Sequence, residues 1–198
     1  MSAAPRHEIT RNDILPMDVY AAERKERRKR MAEYKRPRRI AVGPYATFYF
    51  ENYETMFQQI HEMLLIEKGG EEQIEDELSA YNPLIPKGNE LVTTLMFEIE
   101  DPVRRNKFLY TIPGIEEKTY IEIDGDRVMA DPEHDIDRTS EDGKSSSVHF
   151  LHFRLTPDQV AKFKKPDAKI VIGFEHANYG HQATMSPETR AALQGDLD

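Results

Sequence analysis

The run SSVHFLHFRL, residues 146–155, carries two histidines in one β-rich stretch. Side chains alternate faces along a strand. His149 therefore falls in phase with Leu151, Phe153 and Leu155, while His152 shares the other face with Val148, Phe150 and Arg154. A later run, KIVIGFEH at 169–176, puts His176 in phase with Ile170, Ile172 and Phe174. Both His149 and His176 are expected on core-facing positions, where leaving a polar group unpaired costs about 1–3 kcal/mol.

Partners are available on the helix expected at 53–68, YETMFQQIHEMLLIEK. Glu67 lies on its apolar stripe, one turn after Met63 and Leu64. Glu62 lies on the opposite side, flanked by Leu65 and Ile66. A buried carboxylate must be paired, protonated or bound to a metal. Glu62, Glu67, His149 and His176 thus form a candidate ligand set for one divalent iron, manganese or zinc ion. Glu67 with His149 would equally compose an acid–base pair. The plainer reading makes both histidines core or rim residues bonded to backbone or to a glutamate. No organic cofactor is expected, and no catalytic residue is assigned.

Other patterns exclude more than they assign. His61 and Glu62 do not form HExxH, because Leu65 stands at the second histidine's place. The acids Asp131, Glu133, Asp135, Asp137 and Asp142 echo a calcium loop, but Ile136 replaces its glycine and Asp142 its bidentate glutamate. Serines 145–147 precede a strand without a nucleophile elbow. With no cysteine, the chain has no disulfide, thiolate nucleophile or iron–sulfur ligand. No apolar run reaches membrane-spanning length, and residues 1–12 do not read as a secretory signal. A soluble cytoplasmic protein is the expectation.

The net charge of −9 is uneven. Residues 24–39 contain ten Lys or Arg and two acids, so that window is +8 and the remainder −17. The segment MDVYAAERKERRKRMAEYK, 17–35, is rich in helix formers, with a long charged middle. It is read first as a solvated helix and second as a docking surface for an acidic protein. The acidic balance and sparse aromatics disfavour nucleic acid. A homo-oligomer is compatible with this pattern.

The elements that must position these residues follow from periodicity and punctuation. Residues 39–52 read as a strand or as a hairpin around Gly43-Pro44. Tyr53, Met56, Phe57, Ile60, Met63 and Leu64 mark the clearest helix, and a second short helix occupies 71–80. A strand is expected at 91–100, a helix capped by Asp101, and a hairpin over 118–130 turning at Asp124-Gly125. An acidic loop, the strand at 148–155, a short helix after Thr156 and the strand at 169–176 follow. The fold class is α+β: a mainly antiparallel sheet of about five to six strands, two central helices packed on one face and a basic N-terminal helix. The expected division is a flexible N-terminus at 1–12, one domain at 13–178 and a polar C-terminal tail at 179–198.

The order RRIAVGPYATFYFEN, QIHEMLLIEK, ELSAYNPLIPKGNEL, DRTSEDGKSSSVHFLHFRL, IGFEHANY resembles a bacterial family of uncharacterised proteins, the domain of unknown function 3501. The resemblance spans about residues 10 to 180, with AYNPLIP and SSVHFLHF its most specific parts. It implies a neighbourhood of rubrerythrin-like and iron–sulfur oxidoreductase-like partners, hence a role near peroxide or iron redox chemistry. It supplies no catalytic residues. The leading expectation is a non-enzymatic accessory protein of a redox or oxidative-stress system. A small Glu–His enzyme and a module binding an acidic partner through the basic helix are the alternatives.

Overall fold

The computed structural model describes residues 6–133 and 138–198. The fold is α+β. Helix α1 (Met17–Lys35) precedes the hairpin β1 (Arg39–Val42) and β2 (Ala46–Glu51). Helices α2 (Tyr53–Glu67) and α3 (Gln73–Tyr81) lead into β3 (Glu90–Phe97) and α4 (Pro102–Leu109). Then come β4 (Thr119–Ile123), β5 (Asp126–Met129), the two-residue β6 (Asp131–Pro132) and β7 (Val148–Arg154). The chain closes through α5 (Pro157–Phe163), β8 (Ile170–Phe174), β9 (Gln182–Thr184) and α6 (Pro187–Gln194).

All strand pairs are antiparallel, in two sheets. A five-stranded sheet runs β1-β2-β3-β7-β6, and a four-stranded sheet runs β5-β4-β8-β9. The expected sheet of five to six strands corresponds to the first; four further strands make the second. One face of the first sheet presents Phe48, Phe50, Leu91, Leu95, Leu151 and Phe153 to Ile121, Ile123, Ile170 and Ile172 of the second. Its other face carries Val92 and Phe150 beneath Tyr53, Met56, Ile60 and Leu64 of α2 and Ile74 and Leu78 of α3. The first sheet is thus the middle layer. The two helices expected over one sheet face lie there.

Local chemistry accounts for the boundaries. Asn52 caps α2, its side chain accepting from the Thr55 amide, and Thr55 returns a bond to the Asn52 amide. Asp124 and Gly125 both have positive φ, as a two-residue hairpin turn requires. Gly43 has φ +69°, and a Cβ there would meet the His181 ring at 2.7 Å, so the tight β1–β2 turn admits no side chain. Against that turn the Tyr179 hydroxyl accepts from the Tyr45 and Ala46 amides and donates to the Val42 carbonyl.

Two boundary expectations are corrected. Ile9 is 1% exposed, and its amide and carbonyl are bonded by the Asn82 side chain. Residues 6–12 therefore pack, and residues 1–5 of the expected flexible N-terminus lie outside the described part. The tail expected at 179–198 also folds on: Tyr179, Met185, Leu193 and Leu197 enter the inter-sheet core. Asp196 forms a buried ion pair with Arg38 and accepts from Asn52. A few apolar side chains and one buried ion pair anchor a segment whose composition is otherwise polar.

Candidate functional site

The four residues proposed as ligands do not converge. The first sheet stands between them: α2 packs on one face, while His149 points from β7 into the opposite, inter-sheet layer. Glu62 accepts from the Tyr20 hydroxyl at 2.8 Å, from Arg24 Nη2 at 2.8 Å and from Gln58 at 3.3 Å. The bond to Arg24 holds its carboxyl below the usual range against the effect of burial. It is the tie between α1 and α2. Glu67 is exposed and accepts from Gln73 at 2.8 Å, because the last turn of α2 lies clear of the apolar contact. Among the described residues, no group of three or more His, Asp or Glu is arranged to hold a metal ion.

His176 falls beyond the end of β8, where the chain turns back to an isolated bridge with Tyr179. The strand register no longer applies there, so the expected core-facing position is not reached. Its Nε2 lies 3.3 Å from the Pro113 carbonyl, and its Nδ1 accepts from the Asn178 amide. That is a satisfied rim histidine.

His149 is fully buried and does face a glutamate, but the glutamate is Glu116. Nδ1 and Glu116 Oε2 stand 3.6 Å apart, and neither atom has a hydrogen-bond partner among the described residues. Nε2 lies 3.0 Å from the Ser146 carbonyl and 3.3 Å from Ser145 Oγ. The order Ser145–His149–Glu116 copies the connectivity of a hydrolase triad. It cannot act as one. A carbonyl only accepts, so Nε2 carries the proton and cannot take one from Ser145. Ser145 and His149 are also 1% and 0% exposed, which closes them to a substrate. Burial pulls His149 down to about 4 and pushes the Glu116 carboxyl up, with Glu117 adding to the rise and Arg138 and His176 opposing it. The result is a neutral imidazole whose lone pair faces the Glu116 carboxyl inside the core.

The chemistry that reaches solvent lies on the other face of β7. Register pairs Glu90 with Arg154, Val92 with His152, and His152 with Asp131. Alternation then carries Glu133, two residues after Asp131, to the same face. His152 Nδ1 lies 3.0 Å from Glu90 Oε2, and Nε2 lies 3.7 Å from Glu133 Oε1. Glu90 Oε1 accepts from the Lys87 amide at 3.2 Å. Arg154 Nε approaches Glu90 at 3.9 Å while its guanidinium pairs with Asp131. Side-chain exposures are 6% for Glu90, 10% for His152 and 18% for Glu133, so the carboxylates grade from sealed to reachable.

Electrostatics follow from this clamp. Burial alone would depress His152, but the adjoining Glu133 carboxylate and the bonded Glu90 outweigh it and push the imidazole up to about 9. Burial raises Glu90, and the bonded His152 cation reverses that and holds it ionised. His152 is therefore an imidazolium at neutral pH. It forms part of the wall of a cleft of about 520 Å³, with Lys87, Asn89, Glu90, Glu133 and Arg154. That volume lies in the range of small-molecule sites, about 300–1,000 Å³.

The model of the proteins of unknown function DUF3501 matches residues 8–197. The chain belongs to the DUF3501 family. Among solved structures, it is similar to a protein of unknown function from Burkholderia pseudomallei K96243, at 37% identity and a TM-score of 0.89. That likeness covers 96% of this chain and 99% of the other. No curated protein matches. This DUF3501 chain carries the clamp on its middle sheet. Sequence reading placed His152 and Arg154 on a shared face but missed Glu90, because the strand was started at 91.

Proposed function

We propose that the His152 cleft is a general acid–base site for a small polar molecule. The observation that carries this reading is an imidazolium held between two carboxylates on the wall of an open cleft. Glu90, the sealed carboxylate, fixes Nδ1–H and orients the ring. Nε2 is the working atom and gives its proton to a substrate oxygen or nitrogen that develops negative charge. Glu133, less buried and only loosely engaged, gives way to the substrate and accepts a proton from it, so no net proton is gained or lost. Such a pair suits tautomerisation, isomerisation or elimination of water. This chemistry requires neither a metal ion nor a rubrerythrin-like redox partner.

The test is incubation of the protein with a bacterial metabolite extract, followed by untargeted mass spectrometry, beside His152→Gln and Glu90→Gln variants of verified fold. Consumption of one compound by the wild type and by neither variant is expected. If no compound changes, or if His152→Gln consumes it equally, the acid–base reading is wrong.

A further inference from the structure

The helical layer carries opposite charges at its two sides. Of α1, only Tyr20 is buried. Its cations divide into two sets. Arg24 and Arg27 are paired, with Glu62 and Glu23. Lys25, Arg28, Lys29 and Arg30 are exposed and, like the half-buried Lys35, have no ion pair among the described residues. At 100° per residue Lys25, Arg28 and Lys29 form one stripe on the flank next to the α2-facing side that carries Tyr20, Arg24 and Met31, and Arg30 lies about 100° beyond it. The stripe looks outward from the layer, since Arg28 acts through space on Glu62, on the outer side of α2. Across α2, Glu71, Glu72, Glu75 and Asp76 are exposed at the start of α3. Arg11 engages Glu71 and Glu75, leaving Glu72 and Asp76 in solvent.

Between the two charged sides Ile66, on the outer side of α2, is 61% exposed. A cavity of about 640 Å³ opens where the segment leading into α1 meets the end of α2 and the start of α3, walled by Leu15, Met17, Leu64, Leu65 and Ile74 and by Arg11, Lys68 and Glu71.

We infer that this face is a homodimer interface, the basic stripe of α1 in one protomer lying against the acidic start of α3 in its partner. Two patches on one face are exchanged by a two-fold axis lying between them in the interface plane, so each contact occurs twice. The apolar ground around Ile66 falls at the centre and the charges at the rim, the usual anatomy of such contacts. Helices of 19, 15 and 9 residues are about 28, 22 and 14 Å long. At spacings of about 8–10 Å they offer roughly 580 Å² per partner, the size of a weak, salt-sensitive contact rather than a permanent one.

The test is sedimentation equilibrium of the full chain at about 50 mM and about 500 mM salt, where screening differs strongly. A dimer that weakens at least about tenfold in the higher salt is expected. Lys25→Glu/Arg28→Glu/Lys29→Glu should be monomeric, and so should Glu72→Lys/Asp76→Lys. Mixing the two variants should restore a heterodimer, because both reversed contacts then match. Circular dichroism establishes that each variant is folded. A wild type that stays monomeric at low salt overturns the inference, as does a dimer that survives the triple reversal or a mixture that stays monomeric. None of these outcomes bears on turnover in the His152 cleft.

Discussion

The His152 clamp makes a quantitative demand on stability. An imidazole raised from 6.5 to about 9 on folding is a group that binds its proton more tightly in the native state. Its contribution is therefore fully present below 6.5 and is lost as pH rises through about 9. At about 1.36 kcal/mol per pH unit, that gap corresponds to about 3 kcal/mol. Other groups titrate over the same window, so the informative quantity is a difference. Urea unfolding of wild type and of His152→Gln should be compared at about pH 6 and at about pH 9.5. The wild-type advantage should shrink by about 3 kcal/mol between the two. NMR titration of the His152 ring gives the native value directly, and it should fall back toward the ordinary range in Glu90→Gln. A native His152 titrating near 6.5, or a stability gap independent of pH, would refute both the clamp and the proposed acid.

Two further outcomes follow from other buried groups. His149, depressed to about 4, is neutral in the core and must gain a proton on unfolding in acid. Its stabilising contribution is lost as pH falls from 6.5 toward 4, by about 3 kcal/mol, so His149→Leu should flatten that acid limb in pH-dependent urea melts. An unchanged limb would mean that His149 is not held neutral. Tyr179→Phe should lower the unfolding free energy by about 1–3 kcal/mol, since it strips a partner from three backbone groups of the β1–β2 turn. Denaturant melts measure this, and a loss below about 0.5 kcal/mol would show that water substitutes for the hydroxyl.

What could be read from the sequence was local. The apolar spacing of Tyr53, Met56, Ile60 and Leu64 is enough to specify α2, and Asp124-Gly125 specifies its hairpin. Alternation correctly separated His149 from His152. The errors came from carrying a period past the core or past the end of an element. Glu67 is in phase with the α2 stripe, yet the helix has left the core by then. His176 is in phase with Phe174, yet β8 has already ended. The site itself depends on register between β3, β7 and β6, strands that meet only in space. No local pattern pairs Glu90 with a histidine 62 positions away. The acidic loop concealed a strand at Asp131, and residues 134–137, with two of its acids, lie outside the described part. Proline at 132 and the short pairing hide it, since the edge of a sheet tolerates what a central strand does not.

The Arg38–Asp196 pair sets an order of events during synthesis. The guanidinium is 2% exposed and its carboxylate stands 158 residues later. At about 5–20 residues per second, a ribosome needs roughly 8–30 s to deliver the second charge after the first. Through that interval the slot beside the Phe50 and Glu51 carbonyls, to which Arg38 also donates, cannot close around an uncompensated cation. The hairpin, α2 and the middle sheet can assemble on the nascent chain, but the seam at α6 waits for Asp196 to emerge. Closure of that seam is thus a late step, and Asp196 is the residue that permits it.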